Sequence, residues 1–457
     1  MNTINNDIKK NLNMPIIVIE GYLAFTVFLY AFGPWEWKTN NPILTYMMLF
    51  AFQVALALGY KTGIRKKSIN LISIDYIEAE RKKYSRTIFS NKFLQILLIL
   101  NLIFIMLNIV RTLDLASFSL SSILNQVTIG LTNPAAQYKL SQIVVTKFGG
   151  SILSYANVLL APLLWLAIPL SIYRFKELSI VFKSISVITI FLEIARWVAT
   201  GTNKGFFDIV IIVLAVIFVK KLTPFQSRKK RLYSKSIRKN NIKITIVALI
   251  FLFICVWFFS NAIGDRVQMN WTNLEISTGN TQINFDSILM RLCPSYLKAT
   301  LIYVSSYLTQ GYYALSLATL VEWTPMFGVG NSMFLMDNLS SIFNTDLYQF
   351  TYQTKLIQYG WDSFVNWHSF YIWVANDVSI IGVVFVMYIL GRFLANVVYD
   401  ATIIGDNIAV GIFCLLAVLF LYMPANNQLL SYPTTFMAFW VLTGIWAFKK
   451  KIRLRFK

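Results

Sequence analysis

The sequence predicts an all-α, polytopic integral membrane protein with about ten transmembrane helices, folded as a single domain over residues 1–457. Apolar stretches of about 20 residues, each long enough to cross a hydrocarbon core, recur along the whole chain. Charged residues make up only 13% of the sequence, whereas a soluble domain contains roughly 25%. A soluble protein with buried helices would have too little polar surface to cover so many apolar segments.

The apolar stretches define the spans in order. The first follows Lys9 and Lys10 and lacks the small-residue cleavage site of a signal peptide, so we interpret it as a span. The predicted spans are residues 15–33, 42–60, 93–112, 151–172, 179–199, 205–219, 244–260, 378–398, 407–423 and 432–448. An even number of spans places both termini on the same side of the membrane.

The distribution of basic residues predicts which side that is. The net charge of +21 is compatible with nucleic-acid binding, but Lys and Arg are concentrated in segments 61–92, 220–243 and 449–457, which flank apolar stretches. Such residues favour the cytoplasm, and the ten spans place all three segments there. We therefore expect both termini to be cytoplasmic and the basic segments to contact anionic membrane lipids, with no nucleic-acid partner.

The segment 261–376, between spans seven and eight, contains very few basic residues and is predicted to be one large extracytoplasmic loop. Within it, the stretch from Asp286 to Leu320 has long helical character, interrupted at Pro294 and Gly311. We expect this helix to pack over the outer mouth of the protein, and it could equally be partly embedded in the bilayer. In another outer loop, Trp35 and Trp37 are typical of anchors at the membrane interface.

Charged residues near the outer ends of spans five and six are costly in a membrane and therefore informative. Glu193 and Arg196 are three residues apart and can share one helical face. Lys204 and Asp208 follow after a tight turn. Two interpretations remain open: the four groups form a mutually paired structural cluster, or the cation of Arg196 or Lys204 faces a phosphate-bearing lipid headgroup.

The outer loop contributes further candidates. Arg266 and Arg291 suit phosphate because a guanidinium donates two hydrogen bonds at once, although each could equally be a solvated charge. His368 is the only histidine, and a neutral imidazole could accept a proton from a sugar hydroxyl; the alternative is a hydrogen-bonded interfacial histidine. Nearby aromatic residues could stack on sugar rings or anchor the interface: Trp361, Trp367, Tyr371 and Trp373. Three scattered cysteines and one histidine predict neither a disulfide framework nor a metal site.

Several short motifs resemble those of bacterial oligosaccharide repeat-unit polymerases, the Wzy proteins, and the related O-antigen ligases. The turn Thr200-Gly201-Thr202-Asn203-Lys204-Gly205 is similar to their Gly-Ser-Arg-Gly-type turn, with Lys204 where the family commonly has Arg. The segment Trp367-His368-Ser369-Phe370-Tyr371, followed by Asn376-Asp377, Ile381-Gly382 and Gly391, is similar to their late outer-loop segment. The stretches Gly311-Tyr312-Tyr313-Ala314-Leu315 and Phe327-Gly328-Val329-Gly330-Asn331-Ser332 are similar to the middle of that loop.

The resemblance implies a glycosyltransferase of the GT-C type that works without a metal or other cofactor. It would join undecaprenyl-diphosphate-linked oligosaccharide repeat units into a surface polysaccharide (capsule, exopolysaccharide or O-antigen) on the outer face of the bacterial cytoplasmic membrane. On this reading the catalytic base is His368, with Asp377 as the second candidate. The residues expected to bind the diphosphate and the lipid-linked sugar are Arg196, Lys204, Arg266, Arg291, Tyr312, Trp367 and Tyr371.

Two alternatives remain at this stage. An O-antigen-type ligase of the same fold would pass a finished glycan to a different acceptor. A flippase or transporter would move the lipid-linked oligosaccharide without covalent chemistry, but the chain lacks the internal repeats that mark many transporters. A polymerase would be expected to work with flippase and chain-length regulator proteins as partners.

Overall fold

The computed structural model describes residues 2–68, 90–148, 150–223, 256–257, 260, 281–363 and 365–455. The long helices up to residue 222 are α1 (Asn2–Phe32), α2 (Pro42–Ser68), α3 (Asn91–Thr112), α4 (Leu120–Thr132), α5 (Pro134–Phe148), α6 (Ile152–Tyr173), α7 (Ile180–Ala199) and α8 (Lys204–Leu222). The later helices are α9 (Ile288–Leu292), α10 (Ser295–Ala318), α11 (Met333–Phe343), α12 (Tyr352–Lys355), α13 (Phe370–Tyr399), α14 (Asn407–Tyr422) and α15 (Pro433–Arg455). In these ranges the chain forms no strand, and one antiparallel bridge joins Trp35 to Ile283.

Five helical segments are long and apolar enough to cross a membrane, which confirms a membrane-embedded helical protein. They are Lys10–Phe32, Pro42–Arg65, Asn91–Thr112, Ile152–Tyr173 and Phe370–Ile404. The predicted span at 407–423 corresponds to the shorter apolar helix α14. Those at 179–199, 205–219 and 432–448 coincide with α7, α8 and α15, which are not among the five. The span at 244–260 lies almost entirely outside the described residues, so the total of ten spans stays a prediction.

The chain divides into two compact units. The first comprises Met1–Ile74, Trp271–Tyr399 and Leu415–Phe439. The second comprises Asp75–Asn270, Asp400–Cys414 and Trp440–Lys457. The predicted catalytic residues and most of the predicted outer loop belong to the first unit, whereas Arg196 and Lys204 belong to the second.

Helix α10 is the internal helix of the first unit. Residues 309–318 are all buried, and the helix packs against α1, α2 and α13. Pro294 precedes the first turn as predicted, but the predicted interruption at Gly311 is wrong because the helix continues through it. A Cβ at Gly311 would lie 2.2 Å from the Pro424 carbonyl oxygen and 2.6 Å from the Ser369 nitrogen. This glycine therefore permits close backbone packing and does not break the helix.

Helix α13 is kinked one third of the way along its length. Ser379 has φ 66° and ψ 165°, a backbone conformation that is essentially restricted to glycine and costs of order 1–3 kcal/mol. The first part of the helix carries Asn376 and Asp377, which hold the outer loop, and the longer second part packs against α2. The kink thus lies two residues beyond the point where the outer loop is attached.

In the second unit, α3 packs against α6 and α7, α8 packs against α6 and α7, and the pair α4 and α5 packs against α7. Ser90 and Ser151 cap α3 and α6 by accepting backbone N–H bonds from Phe93 and Ser154. The predicted break at Asn133-Pro134 is the junction between α4 and α5. The segment predicted to lie outside, 113–150, therefore contains a helical pair, held close to α7 where Gly130 meets the Val198 carbonyl.

Candidate functional site

Asp377, predicted as the second candidate base, clamps one turn of the outer loop in the first unit. Its Oδ1 accepts hydrogen bonds from the backbone N–H groups of Gly328 and Gly330, both at 2.8 Å. Its Oδ2 accepts from the Asn331 backbone at 3.1 Å and from the Asn331 side-chain amide at 2.6 Å. Two of the motifs singled out in the sequence therefore bind each other, and both carboxylate oxygens are occupied by this turn.

The neighbouring Asn376 organises the same loop from inside the protein. It is 1% exposed, and its side-chain amide donates to the Gly330 carbonyl at 2.8 Å and to Gln353 Oε1 at 2.9 Å. Its Oδ1 accepts from the Tyr352 backbone at 2.9 Å, and its carbonyl accepts from the Trp323 indole at 3.0 Å. Both amide hydrogens and the amide oxygen have partners, so the loop 323–353 is fixed to the start of α13.

His368 lies just before α13 and is 3% exposed. Burial lowers its pKa to about 3, against the opposing effect of a hydrogen bond with the Asn366 backbone. Its Nε2 is enclosed and has no hydrogen-bond partner among the described residues. The imidazole is therefore neutral at physiological pH, and it can take a proton only from a group that reaches it inside the protein.

Tyr312 and Tyr371, predicted to bind the lipid-linked sugar, form an internal aromatic pair. Both are 0% exposed, and their rings stack with centroids 6.4 Å apart. The Tyr312 hydroxyl and Thr26 Oγ1 share a hydrogen bond of 2.8 Å, whereas the Tyr371 hydroxyl has no partner in the described part of the chain. In this conformation the two tyrosines belong to the core of the first unit.

Trp367 and Arg291 are more accessible. The Trp367 backbone N–H donates to Gln310 Oε1 at 3.0 Å, and its half-buried indole meets the Tyr307 ring edge-on at 4.7 Å. Arg291 is 69% exposed and lies 3.5 Å from the carboxylate of Asp286. An exposed pair of this length contributes little to stability, so the Arg291 side chain remains available to a ligand.

A cavity of about 370 Å³ opens beside these groups in the first unit, between the α1–α2 connection and residues 284–288. Five aromatic residues and two carboxylates contribute to its lining: Tyr30, Phe32, Trp35, Trp37, Tyr46, Glu36 and Asp286. The bridge between Trp35 and Ile283 brings the two segments together. Trp35 is 4% exposed and donates to the Ile302 carbonyl, so it is a buried wall of this cavity. The prediction that Trp35 anchors the protein at the membrane interface did not include this packing.

In the second unit, the structure pairs Glu193 with Arg196. The guanidinium donates to both carboxylate oxygens, at 2.5 and 3.0 Å. The Trp197 indole also donates to Glu193 at 2.8 Å, and the Arg196 guanidinium lies 4.3 Å from the Trp197 ring centroid. The favourable charge interaction of Arg196 is thus made within its own helix.

Lys204 and Asp208 form the second pair, with a distance of 2.9 Å between Nζ and Oδ2. The adjacent Asn203 is 7% exposed, and neither atom of its side-chain amide has a partner among the described residues. Oδ1 of the buried Asp208 is also unpartnered there. Buried amides are normally hydrogen-bonded, so the start of α8 retains unused hydrogen-bonding capacity.

Arg111 is a cation that the sequence analysis did not single out. It lies at the end of α3, donates to Ser154 Oγ at 2.5 Å, and is close enough to Arg196 for the two positive charges to repel. It has no carboxylate partner within the described ranges. Counted with the two ion pairs, Arg111 leaves this group with a net positive charge. Its position at the C-terminal end of an apolar stretch was the available signal.

The predicted residues are thus distributed as follows. In the first unit, His368, Trp367, Tyr371 and Asp377 lie in or beside one segment that leads into α13, and Tyr312 contacts Tyr371. In the second unit, Arg196 and Lys204 are each neutralised by a carboxylate of their own helix. Arg266 lies outside the described residues. The described part of the chain contains no group of three or more His, Cys, Asp or Glu residues suited to a metal.

Comparison with known proteins adds no relative: no family model, no curated protein and no solved structure matches this chain.

Proposed function

We propose that this protein is a polymerase that joins undecaprenyl-diphosphate-linked oligosaccharide repeat units on the outer face of the bacterial cytoplasmic membrane. The proposal places both termini in the cytoplasm, as the basic segments indicate. One observation carries it: Arg111 is a cation without a carboxylate partner in the described chain, beside the Glu193–Arg196 pair and at the end of an apolar helix. A charge in that position suits an amphiphile with a phosphate headgroup.

The chemistry of Arg111 suits a phosphate headgroup. Arg111 offers a planar fork of N–H donors, which matches phosphate oxygens. Ser154 Oγ lies within 2.5 Å of the guanidinium and could accept or donate to the same ligand. When a glycosidic bond to a diphosphate breaks, negative charge develops on the leaving oxygen, and fixed cations stabilise that charge.

A separate part of the proposal concerns the first unit alone. In the transfer, an acceptor hydroxyl oxygen attacks the anomeric carbon of the donor sugar. The bond from that carbon to the diphosphate oxygen breaks, and the oxygen leaves with the electron pair. The acceptor proton is assigned to Nε2 of His368, which is neutral and carries no partner in the described residues. Because burial lowers its pKa, this nitrogen takes the proton only as the acceptor oxygen bonds to the anomeric carbon and the hydroxyl becomes strongly acidic. Because this nitrogen is enclosed, the assignment requires the acceptor to enter the protein interior.

A reconstitution experiment tests the proposal. The purified protein in liposomes, given a lipid-linked repeat unit and no metal or nucleotide, should produce a ladder of longer lipid-linked glycans. His368→Gln, which keeps a hydrogen-bonding side chain but removes the base, should abolish the ladder while the protein still inserts. Transfer of the glycan to a different acceptor would instead indicate a ligase. Movement of the lipid across the bilayer without chain growth would indicate a flippase.

A further inference from the structure

The aromatic cavity of the first unit has no role in the transfer chemistry described above. Its volume of about 370 Å³ lies within the range of small-molecule sites. Its two halves come from residues about 250 positions apart in the sequence. They are joined by backbone hydrogen bonds from Glu36 to the Gln282 carbonyl at 2.9 Å and from Asn284 to the Pro34 carbonyl at 2.6 Å. The cavity is thus built by long-range pairing of two loops.

The indole rings that line the cavity are held in fixed orientations. Trp35 donates to the Ile302 carbonyl at 3.0 Å and Trp37 donates to Thr309 Oγ1 at 3.1 Å. Trp37 stacks with Trp35 at 5.7 Å, with Tyr30 at 6.1 Å and with Tyr313 at 5.4 Å between centroids. Rings fixed in this way lose little conformational freedom when a ligand binds, so the aromatic wall is preorganised.

The polar part of the lining specifies the ligand further. Glu36 and Asp286 bring two carboxylates to the lining, and the lining residues include no Lys, Arg or His. Carboxylates accept hydrogen bonds but donate none, so they favour ligands rich in hydroxyl or amine donors. The same negative charge opposes carboxylated and phosphorylated ligands. A ligand that packs against the aromatic side chains of the cavity must have an apolar face.

We propose that this cavity binds one pyranose ring of a neutral or amine-bearing sugar, packed against its aromatic wall and hydrogen-bonded by Glu36 and Asp286. The proposed sugar site rests on the function proposed above in one respect only, which is that its ligand is a saccharide of the repeat unit. Glu36, Asp286 and Arg291, which lies 3.5 Å from Asp286, together carry a net negative charge, and this charge disfavours uronic acids and the diphosphate. The site therefore gives the polymerase a means of recognising the sugar part of its substrate separately from the lipid carrier.

Binding of free sugars tests the site without requiring polymerase activity. Saturation-transfer NMR on the purified full-length protein would compare glucosamine, N-acetylglucosamine, glucose and glucuronic acid. Wild-type protein should bind the first three and discriminate against glucuronic acid. Glu36→Gln combined with Asp286→Asn should weaken glucosamine binding by about tenfold or more, as expected for loss of charge-assisted hydrogen bonds, and should reduce the discrimination against glucuronic acid.

The following controls distinguish loss of the sugar site from loss of the folded protein. Both substituted carboxylates are exposed, so their removal should leave the thermal unfolding temperature unchanged. Glu322→Gln removes an exposed carboxylate of the same unit outside the cavity and should leave sugar binding at the wild-type level. Equal affinity of wild type and double variant for every sugar, or the absence of binding by wild type, overturns the proposal. If sugars bind as expected but no glycan ladder forms, the polymerase proposal fails and the sugar site stands.

Discussion

His368 lies in an environment that departs far from what its residue type suggests. An unperturbed histidine has a pKa near 6.5, whereas burial lowers the pKa of this one to about 3. Between these values the unfolded chain binds a proton that the folded protein does not. The contribution of neutral, buried His368 to the free energy of unfolding is therefore complete above pH 6.5. It is lost as the pH falls towards 3, at up to about 1.4 kcal/mol per pH unit.

This linkage predicts that the protein loses about 2 kcal/mol of stability from this residue between pH 7.5 and pH 5. Unfolding of the detergent-solubilised protein, measured at both pH values, checks the prediction. His368→Gln cannot titrate, so the same pH change should destabilise the variant less than the wild type. An identical loss in both proteins would show that His368 is not held neutral by burial.

The structural surroundings of Arg111 and Trp35 could not be predicted from the sequence. Arg111 has an ordinary neighbourhood along the chain, and its isolation from carboxylates arises from the packing of α3 against α6 and α7. Trp35 resembles any interfacial tryptophan until residue 283 pairs with it across almost 250 positions. Contacts over such separations leave no local periodicity, so sequence patterns could not predict them.

Helix α10 depends on close approach at one position. The Gly311→Ala substitution would place a methyl group 2.2 Å from the Pro424 carbonyl oxygen and 2.6 Å from the Ser369 nitrogen. Because both neighbours are backbone atoms, the helices must move apart, at a cost of about 1–3 kcal/mol or more. Thermal unfolding measures this loss. Gly21→Ala is the matched control, since a Cβ there meets nothing within 4 Å, and it should be neutral or slightly stabilising.

The start of α13 is expected to hold the outer loop through Asp377. Asp377→Asn replaces one acceptor oxygen with an NH₂ group that faces the N–H donors of residues 328–331. Hydrogen exchange of segment 326–332 should become faster while the exchange of α10 stays unchanged. Asp346→Asn, which makes the same change at the cap of a separate turn and keeps an acceptor oxygen there, serves as the control. Unchanged protection of 326–332 would mean that the carboxylate does not fix this turn.

Those features of the whole molecule that depend on local, repeated sequence patterns were predictable. Apolar length and charge located the five long membrane helices, and the charged corner Glu193–Asp208 was correctly expected to allow pairing. The continuous path of α10 through Gly311 and the division into two units were not predicted, because both depend on tertiary packing that overrides local preferences. The burial of His368 was not predictable for the same reason, since it is set by elements that are distant in the sequence.

The central claim is that the end of α3 presents Arg111 to a lipid-linked phosphate. Native mass spectrometry of the detergent-solubilised protein with undecaprenyl diphosphate or undecaprenol measures this directly. Wild type should retain the diphosphate in preference to the alcohol, and Arg111→Gln should lose about tenfold or more of that preference. Lys147→Gln, which removes an exposed cation of the same unit already paired with Asp114, should behave like wild type. Equal retention of the two lipids by wild type, or an undiminished preference in Arg111→Gln, would contradict the account.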